Sequence, residues 1–272
     1  MSKQIYSNNL ENYQDNGYLY PIKIMSKNQA IDIRSHIESI DNSMLAKIDG
    51  ELGHKAHLLL TTLNDLVKNP TLLNIVEDIL GPNILCWGGS FFTKKPDDRT
   101  FVSWHQDSNY WGLSGGDVLT AWVALSPATR LSGAMKAVRG SHRGPNLRHV
   151  ETYHPDNLLS RGQEVKKEFD ADLVVDMTLE PGEVSLHHID LVHSSEPNQS
   201  NDSRIGYAIR YISTKVQSSY DKDRALLVRG VDKFGHFNSD VEPDSDFSPS
   251  AILNYLESNK LHKELLYKNA PK

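Results

Sequence analysis

Apolar positions along the chain follow two different textures. Over residues 25–40, MSKNQAIDIRSHIESI, Ile31, Ile33, Ile37 and Ile40 together with His36 give an approximate helical stripe, and Ser26 stands where a helix cap belongs. Residues 57–69, HLLLTTLNDLVKN, and 71–80, TLLNIVEDIL, repeat helical spacing; Pro70 separates them and Gly81-Pro82 closes the second. From residue 83 the segments shorten and fill with β-branched and aromatic residues: 83–95, 100–107, 118–125, 133–141, 172–179, 183–195 and 203–213. Gly, Pro and Asp-rich turns bound them. Strands in succession without intervening helices predict a sandwich, jelly roll or barrel rather than βαβ units.

Three stretches break the strand pattern. Residues 145–171 are polar, with Pro145 and Pro155, and read as an excursion or lid; residues 235–247, GHFNSDVEPDSDF, read as an exposed acidic loop. Residues 248–268 return to helix, with Ser248 as cap and Pro249 at the first position. Ile252, Leu253, Leu256, Leu261 and Leu265 supply an apolar side there, to pack on the β core or on a partner. With no internal repeat, the economical reading is one domain over 1–272: a helical N-terminal flank, a β core over about 83–213 and a C-terminal helix.

Composition narrows the function classes. A net charge of −6, from 35 acidic and 29 basic residues, argues against general nucleic-acid binding, which shows a basic stripe. No run approaches the roughly 20 apolar residues of a membrane span, and the polar N-terminus lacks the apolar region of a signal peptide. Cys86 is the single cysteine, which excludes an internal disulfide and a cysteine-based zinc site and suits a reduced, cytoplasmic setting. A small molecule is the partner left.

The chemistry starts at His105-Gln106-Asp107. On a strand, positions i and i+2 share a face, so both side chains can close on one ion. Imidazole plus carboxylate is two thirds of the facial triad that holds non-haem iron(II). Alone, the pair favours a polar turn or capping pair over a metal site. A second pair, His188-Ile189-Asp190, has only His193, His236 and His262 downstream. His193 is too near to come from another strand, His236 lies in the acidic loop and His262 in the C-terminal helix, so this pair is set aside. Downstream of the first pair, His142 reads as a turn residue in RGSHRG, and His149 and His154 fall in the excursion. His187 and His193 remain as third ligands, with His188 on the face opposite His187.

Taken together, WHQD, VRGSH and GEVSLHHIDLVHSSEPNQSNDSRIGYAIRY resemble the phytanoyl-CoA dioxygenase family of iron(II)/2-oxoglutarate oxygenases. That family places H-x-D on a strand, then a (P/R)-G-(S/T)-H turn, then G-(D/E)-x-x-x-(F/L)-(H/D), and a distal metal histidine inside H-(G/S)-S-x-x-N. An arginine eleven residues later binds the far carboxylate of 2-oxoglutarate. His193-Ser194-Ser195-Glu196-Pro197-Asn198 matches the distal element, and Arg204 falls eleven residues after His193; the same step from His236 lands on Phe247. The resemblance covers about 80–215. It implies a double-stranded β-helix, or jelly roll, with helices packed on one sheet. It implies iron(II) on His105, Asp107 and His193, and 2-oxoglutarate on Arg204; Arg210, the competing arginine, does not match the spacing. Trp122, Ser195 and Phe91 align with co-substrate contacts of the family, and Thr120 shares the strand face of Trp122. Core packing is the alternative for each.

The resemblance also implies a reaction: 2-oxoglutarate and O2 are consumed, succinate and carbon dioxide are released, and a substrate C–H bond is hydroxylated. Halogenases of this fold carry Ala or Gly at the carboxylate position, whereas this chain keeps Asp107, which favours hydroxylation or a related desaturation, epimerisation or cyclisation. Ser108, Asn109, Tyr110 and Trp111 are expected at the pocket mouth, and their character suits a polar or planar substrate. No basic cluster suggests a CoA ester. The expectation is therefore tailoring of a free secondary metabolite, as in bacterial and cyanobacterial toxin or alkaloid hydroxylases. The rival is a non-catalytic metal-binding or sensor module on the same fold, which has no use for Arg204.

Overall fold

A computed structural model describes residues 3–114, 117–221 and 223–267, apart from the side chains of 3–9, 263 and 265–267. In chain order the elements are α1 (Lys3–Asn16), β1 (Tyr18–Lys23), α2 (Lys27–Glu38), α3 (Asn42–Leu45), α4 (Thr61–Val67), α5 (Pro70–Leu80), β2 (Ile84–Lys94), β3 (Val102–His105), α6 (Ser108–Trp111), β4 (Val118–Ala124) and β5 (Met135–Val138). They continue with β6 (His149–Glu151), β7 (Gln163–Val165), β8 (Val174–Met177), β9 (Glu183–His188), β10 (His193–Ser195), β11 (Arg204–Ser213), β12 (Arg224–Arg229), β13 (Asn238–Ser239) and α7 (Pro249–Tyr267). None of the described helices is long and apolar enough to cross a membrane. The chain divides into two compact units; β2, β4 and β11 each run through both.

The first unit comprises residues 1–31, 92–109 and 120–207. Its two antiparallel layers run β3-β10-β5-β8 and β1-β9-β4-β11, so strands distant in sequence lie side by side as in a jelly roll. Tyr18 and Tyr20 of β1 pack onto Met135, Ala137, Met177 and Leu191, filling the space between the layers. Tyr20 also donates its hydroxyl to Asp176 O at 3.1 Å. The sequence pattern missed β1, which carries Pro21; an edge strand tolerates proline because its outer side needs no ladder donor.

Two expectations are corrected in this unit. Residues 183–195 are not one strand: β9 ends at His188, a turn follows, and β10 begins at His193. Ile189, Leu191 and Val192 are all buried, so the turn keeps an apolar pattern and reads like strand. His193 therefore does come from a different strand than His188, despite its nearness in sequence. Asp107 lies off the strand as well: β3 stops at His105 and the carboxylate sits in the turn before α6. The 145–171 excursion is folded rather than loose. It carries the β6–β7 hairpin, Phe101 donates its N–H to Asp156 O at 2.9 Å, and Ser103 Oγ donates to Gln163 O.

The second unit comprises residues 32–91, 110–119 and 208–272. Leu63, Leu66 and Val67 of α4 and Leu72, Leu73 and Val76 of α5 are buried, and Tyr211 of β11 donates its hydroxyl to Val67 O at 2.8 Å. β12 pairs antiparallel with β2 and parallel with β13. The helix expected from residue 57 starts at Thr61, after a 3-10 turn at Ala56–Leu58. Its cap comes from far along the chain: Asp246 Oδ1 accepts from the N–H and hydroxyl of Thr61, each at 2.7 Å. That stretch is exposed at most positions, as expected, but it is anchored: Asp240 is buried and holds Lys55 Nζ at 2.7 Å and Arg224 Nε at 2.8 Å.

Helix α7 starts where expected, with Ala251 N–H donating to Ser248 Oγ at 3.2 Å. Its buried side is Ala251, Tyr255, Ser258 and Asn259, not the leucine stripe; Leu253 is 64% exposed and Ile252, Leu256 and Leu261 are half-buried. Tyr255 accepts from Gly53 N–H at 2.6 Å and Ser258 donates to Asp240 at 2.8 Å, so polar anchors set the rotation of the helix. The side chain of Leu265 lies outside the described residues.

Candidate metal centre

His105 closes β3 and His193 opens β10, and the two are direct partners across the antiparallel ladder. Their ring centroids are 4.1 Å apart. The turn after β3 brings Asp107 Oδ1 to 3.4 Å from His105 Nε2. One ligand atom from each of His105, Asp107 and His193 lies within 4.8 Å of the others, the one such group among the described residues. Both imidazoles are held by backbone: His105 Nδ1 donates to Ser103 O at 2.9 Å and His193 O at 3.1 Å, and His193 Nδ1 donates to Leu191 O at 2.9 Å. A carbonyl can only accept, so the proton sits on Nδ1 and the Nε2 lone pair is left for a metal.

Charge is arranged to match. Burial works to raise the Asp107 carboxyl, but the surrounding imidazoles of His105, His187 and His193 hold it well below the usual carboxylate range. Burial, and then repulsion by His105 and His187, keeps the His193 imidazole well below its ordinary value. An ionised carboxylate beside a neutral imidazole is the protonation state that metal ligation requires.

His187, the other candidate third ligand, stands behind the carboxylate. Its Nε2 is 3.8 Å from Asp107 Oδ2, its ring 4.7 Å from that of His193, and its Nδ1 is buried without a partner. The second H-x-D pair is self-contained: Asp190 N–H donates to His188 Nδ1 at 3.1 Å across the β9–β10 turn. His142 donates Nε2–H to Gln14 O at 2.9 Å, a turn role. Gln106 was not singled out in the sequence because it points away from both ligands, yet it is wholly buried and clamps the site. Its Nε2 donates to Asp190 O at 2.8 Å, its Oε1 accepts from Leu147 N–H at 2.8 Å, and its N–H donates to His149 Nε2 at 2.9 Å. His149 thus ties the excursion to the ligand turn rather than to a metal.

Arg204, at the start of β11, is 2% exposed, and its Nε and Nη2 have no partner. Burial pulls its pKa down to about 10. The guanidinium lies 5.2 Å from the Trp122 ring. Thr120, two residues before Trp122 on β4, has a buried hydroxyl that is likewise unpartnered. A desolvated cation with no acid beside it is costly unless an anion completes it. Two imidazoles and a carboxylate on one point, with an orphaned guanidinium in the same unit, fit a metal ion and a carboxylate-bearing ligand. Ser195 Oγ is buried and accepts from Lys94 Nζ at 2.6 Å; Lys94 had drawn no attention in the sequence.

The remaining candidates separate. Phe91 is half-buried on β2 in the second unit. There Arg210 donates to Ser90 Oγ at 3.0 Å and stacks 5.2 Å from Trp111, a structural role. Trp111, expected at a pocket mouth, is buried and packs 5.5 Å from Trp87. Tyr110 is half-buried, and Asn109 is exposed with its amide 2.8 Å from His149 Nδ1.

Comparison with known proteins agrees with this geometry. The profile of the phytanoyl-CoA dioxygenase (PhyH) family matches residues 13–206. A protein of Stutzerimonas stutzeri named as a probable alpha-ketoglutarate-dependent hypophosphite dioxygenase is 31% identical over 160 residues, 56% of this chain and 54% of its own. A 1-deoxypentalenic acid 11-beta-hydroxylase of Streptomyces arenae is 32% identical over 150 residues, 51% of this chain and 52% of its own. The chain spans about half the length of the curated relatives it matches. A solved structure described as the non-heme monooxygenase ThoJ, in its apo form, superposes with a TM-score of 0.85 at 29% identity, covering 95% of this chain and 97% of that one. The family match takes in well over half of the chain, including both iron-ligand motifs and the arginine, and the chain accordingly belongs to the phytanoyl-CoA dioxygenase family.

Proposed function

We propose that the chain is an iron(II)/2-oxoglutarate-dependent oxygenase that hydroxylates a C–H bond of a small polar or planar metabolite. The observation that carries this is Arg204: a buried guanidinium with unpartnered Nε and Nη2, in the same unit as the His105–Asp107–His193 donor group. A metal-binding module alone has no use for it.

In this reading His105, Asp107 and His193 hold iron through Nε2, a carboxylate oxygen and Nε2. Arg204 would hold the far carboxylate of 2-oxoglutarate through its free Nε and Nη2, with Thr120, Ser195 and Trp122 of the same unit shaping its berth. Bound iron, with 2-oxoglutarate and O2, supplies the oxidising power, and succinate and carbon dioxide leave as products. The protein contributes placement, fixed tautomers and a dry surround. The backbone carbonyls on both Nδ1 atoms keep the ligating nitrogens aimed, and burial keeps water from the guanidinium. Residues 1–272 act as one oxygenase domain, threaded by the three strands that run through both units. Asn109, beside His149, and Tyr110 and Trp111 after it are the residues to vary for substrate choice. The relatives named for hypophosphite and for 1-deoxypentalenic acid support action on a free small molecule over action on nucleic acid or a membrane.

Anaerobic addition of iron(II) and 2-oxoglutarate should raise a visible charge-transfer band in the full-length protein. Arg204→Met should lose it at the same co-substrate concentration. Admission of air with a metabolite panel should then release succinate above the uncoupled background. Wild-type protein that binds iron(II) and gives no band would favour the non-catalytic module.

A further inference from the structure

Lys94 ends β2 with its side chain fully buried. Its ammonium donates to Ser195 Oγ at 2.6 Å, to Ser195 O at 3.2 Å and to Glu196 O. Asn198, in the same H-S-S-x-x-N segment, donates its amide to Lys94 O at 3.0 Å. Lysine and turn therefore hold each other at both backbone and side chain. No ion pair among the described residues involves Lys94; the Glu196 carboxylate is 2.9 Å from Lys136 instead. Burial, and then the charge of Arg204, pulls the ammonium pKa down to about 6, against weaker opposite pulls from Glu196 and Asp98. At that value the empty site favours the neutral amine near pH 7, and a carboxylate bound beside Arg204 draws the proton back and restores the ammonium.

With the lysine protonated, the Ser195 hydroxyl has a defined polarity. An ammonium can only donate, so Ser195 Oγ accepts from it and keeps its own proton for a different acceptor. We infer that Lys94 is a positioning residue of the co-substrate site: it fixes Ser195 as a donor toward the carboxylate that Arg204 holds, and with Arg204 makes that end selective for a 2-oxo acid with a distal carboxylate. This rests on the proposed reading of Arg204.

The test uses full-length, Ni(II)-loaded protein and calorimetric binding of two ligands, 2-oxoglutarate and 2-oxopentanoate, which lacks the distal carboxylate. Lys94→Met should weaken 2-oxoglutarate by roughly tenfold or more, the loss expected for a charge-assisted hydrogen bond. It should leave 2-oxopentanoate and Ni(II) affinity within about twofold, the size of an untouched contact. In a Ser195→Ala background the effect of Lys94→Met on 2-oxoglutarate should shrink, because the pathway through the hydroxyl is gone. If Lys94→Met does not fold, Lys94→Gln keeps a donor without the charge and should show the same selective loss. Equal weakening of both oxo acids, loss of Ni(II) affinity, or full additivity with Ser195→Ala would overturn the inference. Arg204→Met, run in parallel, separates the two readings. If it abolishes discrimination while Lys94 variants do not, Lys94 is structural and Arg204 stands; if it leaves discrimination intact, the Arg204 reading itself fails.

Discussion

Asp107 sits in a turn rather than on the strand that carries His105, and its two oxygens have different neighbours. One faces His105 at 3.4 Å and the other His187 at 3.8 Å. Asp107→Ala removes the one anionic donor, and Ni(II) or iron(II) affinity is expected to fall on the order of 100-fold or more in a calorimetric titration. His187→Leu removes only a neighbour of that carboxylate, and a drop of roughly tenfold is expected, the scale of a lost outer partner. Preference for 2-oxoglutarate over 2-oxopentanoate should survive that second change, because His187 faces the metal end. The residues that cluster, His105, Asp107 and His193, were legible in the motifs H-x-D and H-S-S-x-x-N. The neighbours that orient them were not, because His187, Gln106 and Lys94 act through contacts between residues far apart in sequence.

Among the elements, β4 and β11 bring Trp122 and Arg204 together. Arg204 and Gly206 are two apart on β11, and a Cβ at Gly206 would lie 1.8 Å from the Trp122 ring. The glycine is there for close approach, since it lets the indole lie beside the guanidinium. Gly206→Ala forces Trp122 to shift, at a cost of about 1–3 kcal/mol in a denaturant melt, and should weaken 2-oxoglutarate while leaving Ni(II) binding intact. The β10–β11 turn has a similar keystone. Asn198 Nδ2 donates to Lys94 O and to Asp202 O at 2.8 Å, so Asn198→Ala leaves buried acceptors bare and should lower stability by roughly 1–3 kcal/mol. Helix and strand positions over most of 25–213 followed from period and breakers. The β9–β10 split escaped because its turn is apolar, and the α4 start escaped because Asp246, a distant residue, caps it.

Stability of the whole molecule carries a signature of its buried imidazoles. Burial pushes His57 from an ordinary 6.5 down to about 3, and does the same to His262. Unfolded, each ring takes up a proton as pH falls through about 6.5; folded, each stays neutral until about 3. Their stabilising contribution is therefore complete above that upper value and is lost as pH falls through the window. Each ring contributes a slope of up to about 1.4 kcal/mol per pH unit. The melting temperature of metal-free protein should drop steadily across that range. His57→Phe, which removes one titrating ring from the interior, should flatten the decline; an unchanged slope would mean that other groups govern acid unfolding.

What the sequence determined by itself was the class of protein and the motifs whose side chains cluster in the fold. Period-two apolar segments without helices between them specify stacked antiparallel sheets, and short motifs preserve ligand spacing because each lies within one strand end or turn. What only the tertiary structure decided was everything set by contact between distant segments: that His187 stands behind the Asp107 carboxylate, that Asp240 is buried against Lys55 and Arg224, that α7 turns polar anchors inward, and that Lys94 lies under Ser195. Local pattern records which face a residue prefers. It does not record what waits on the other side of that face.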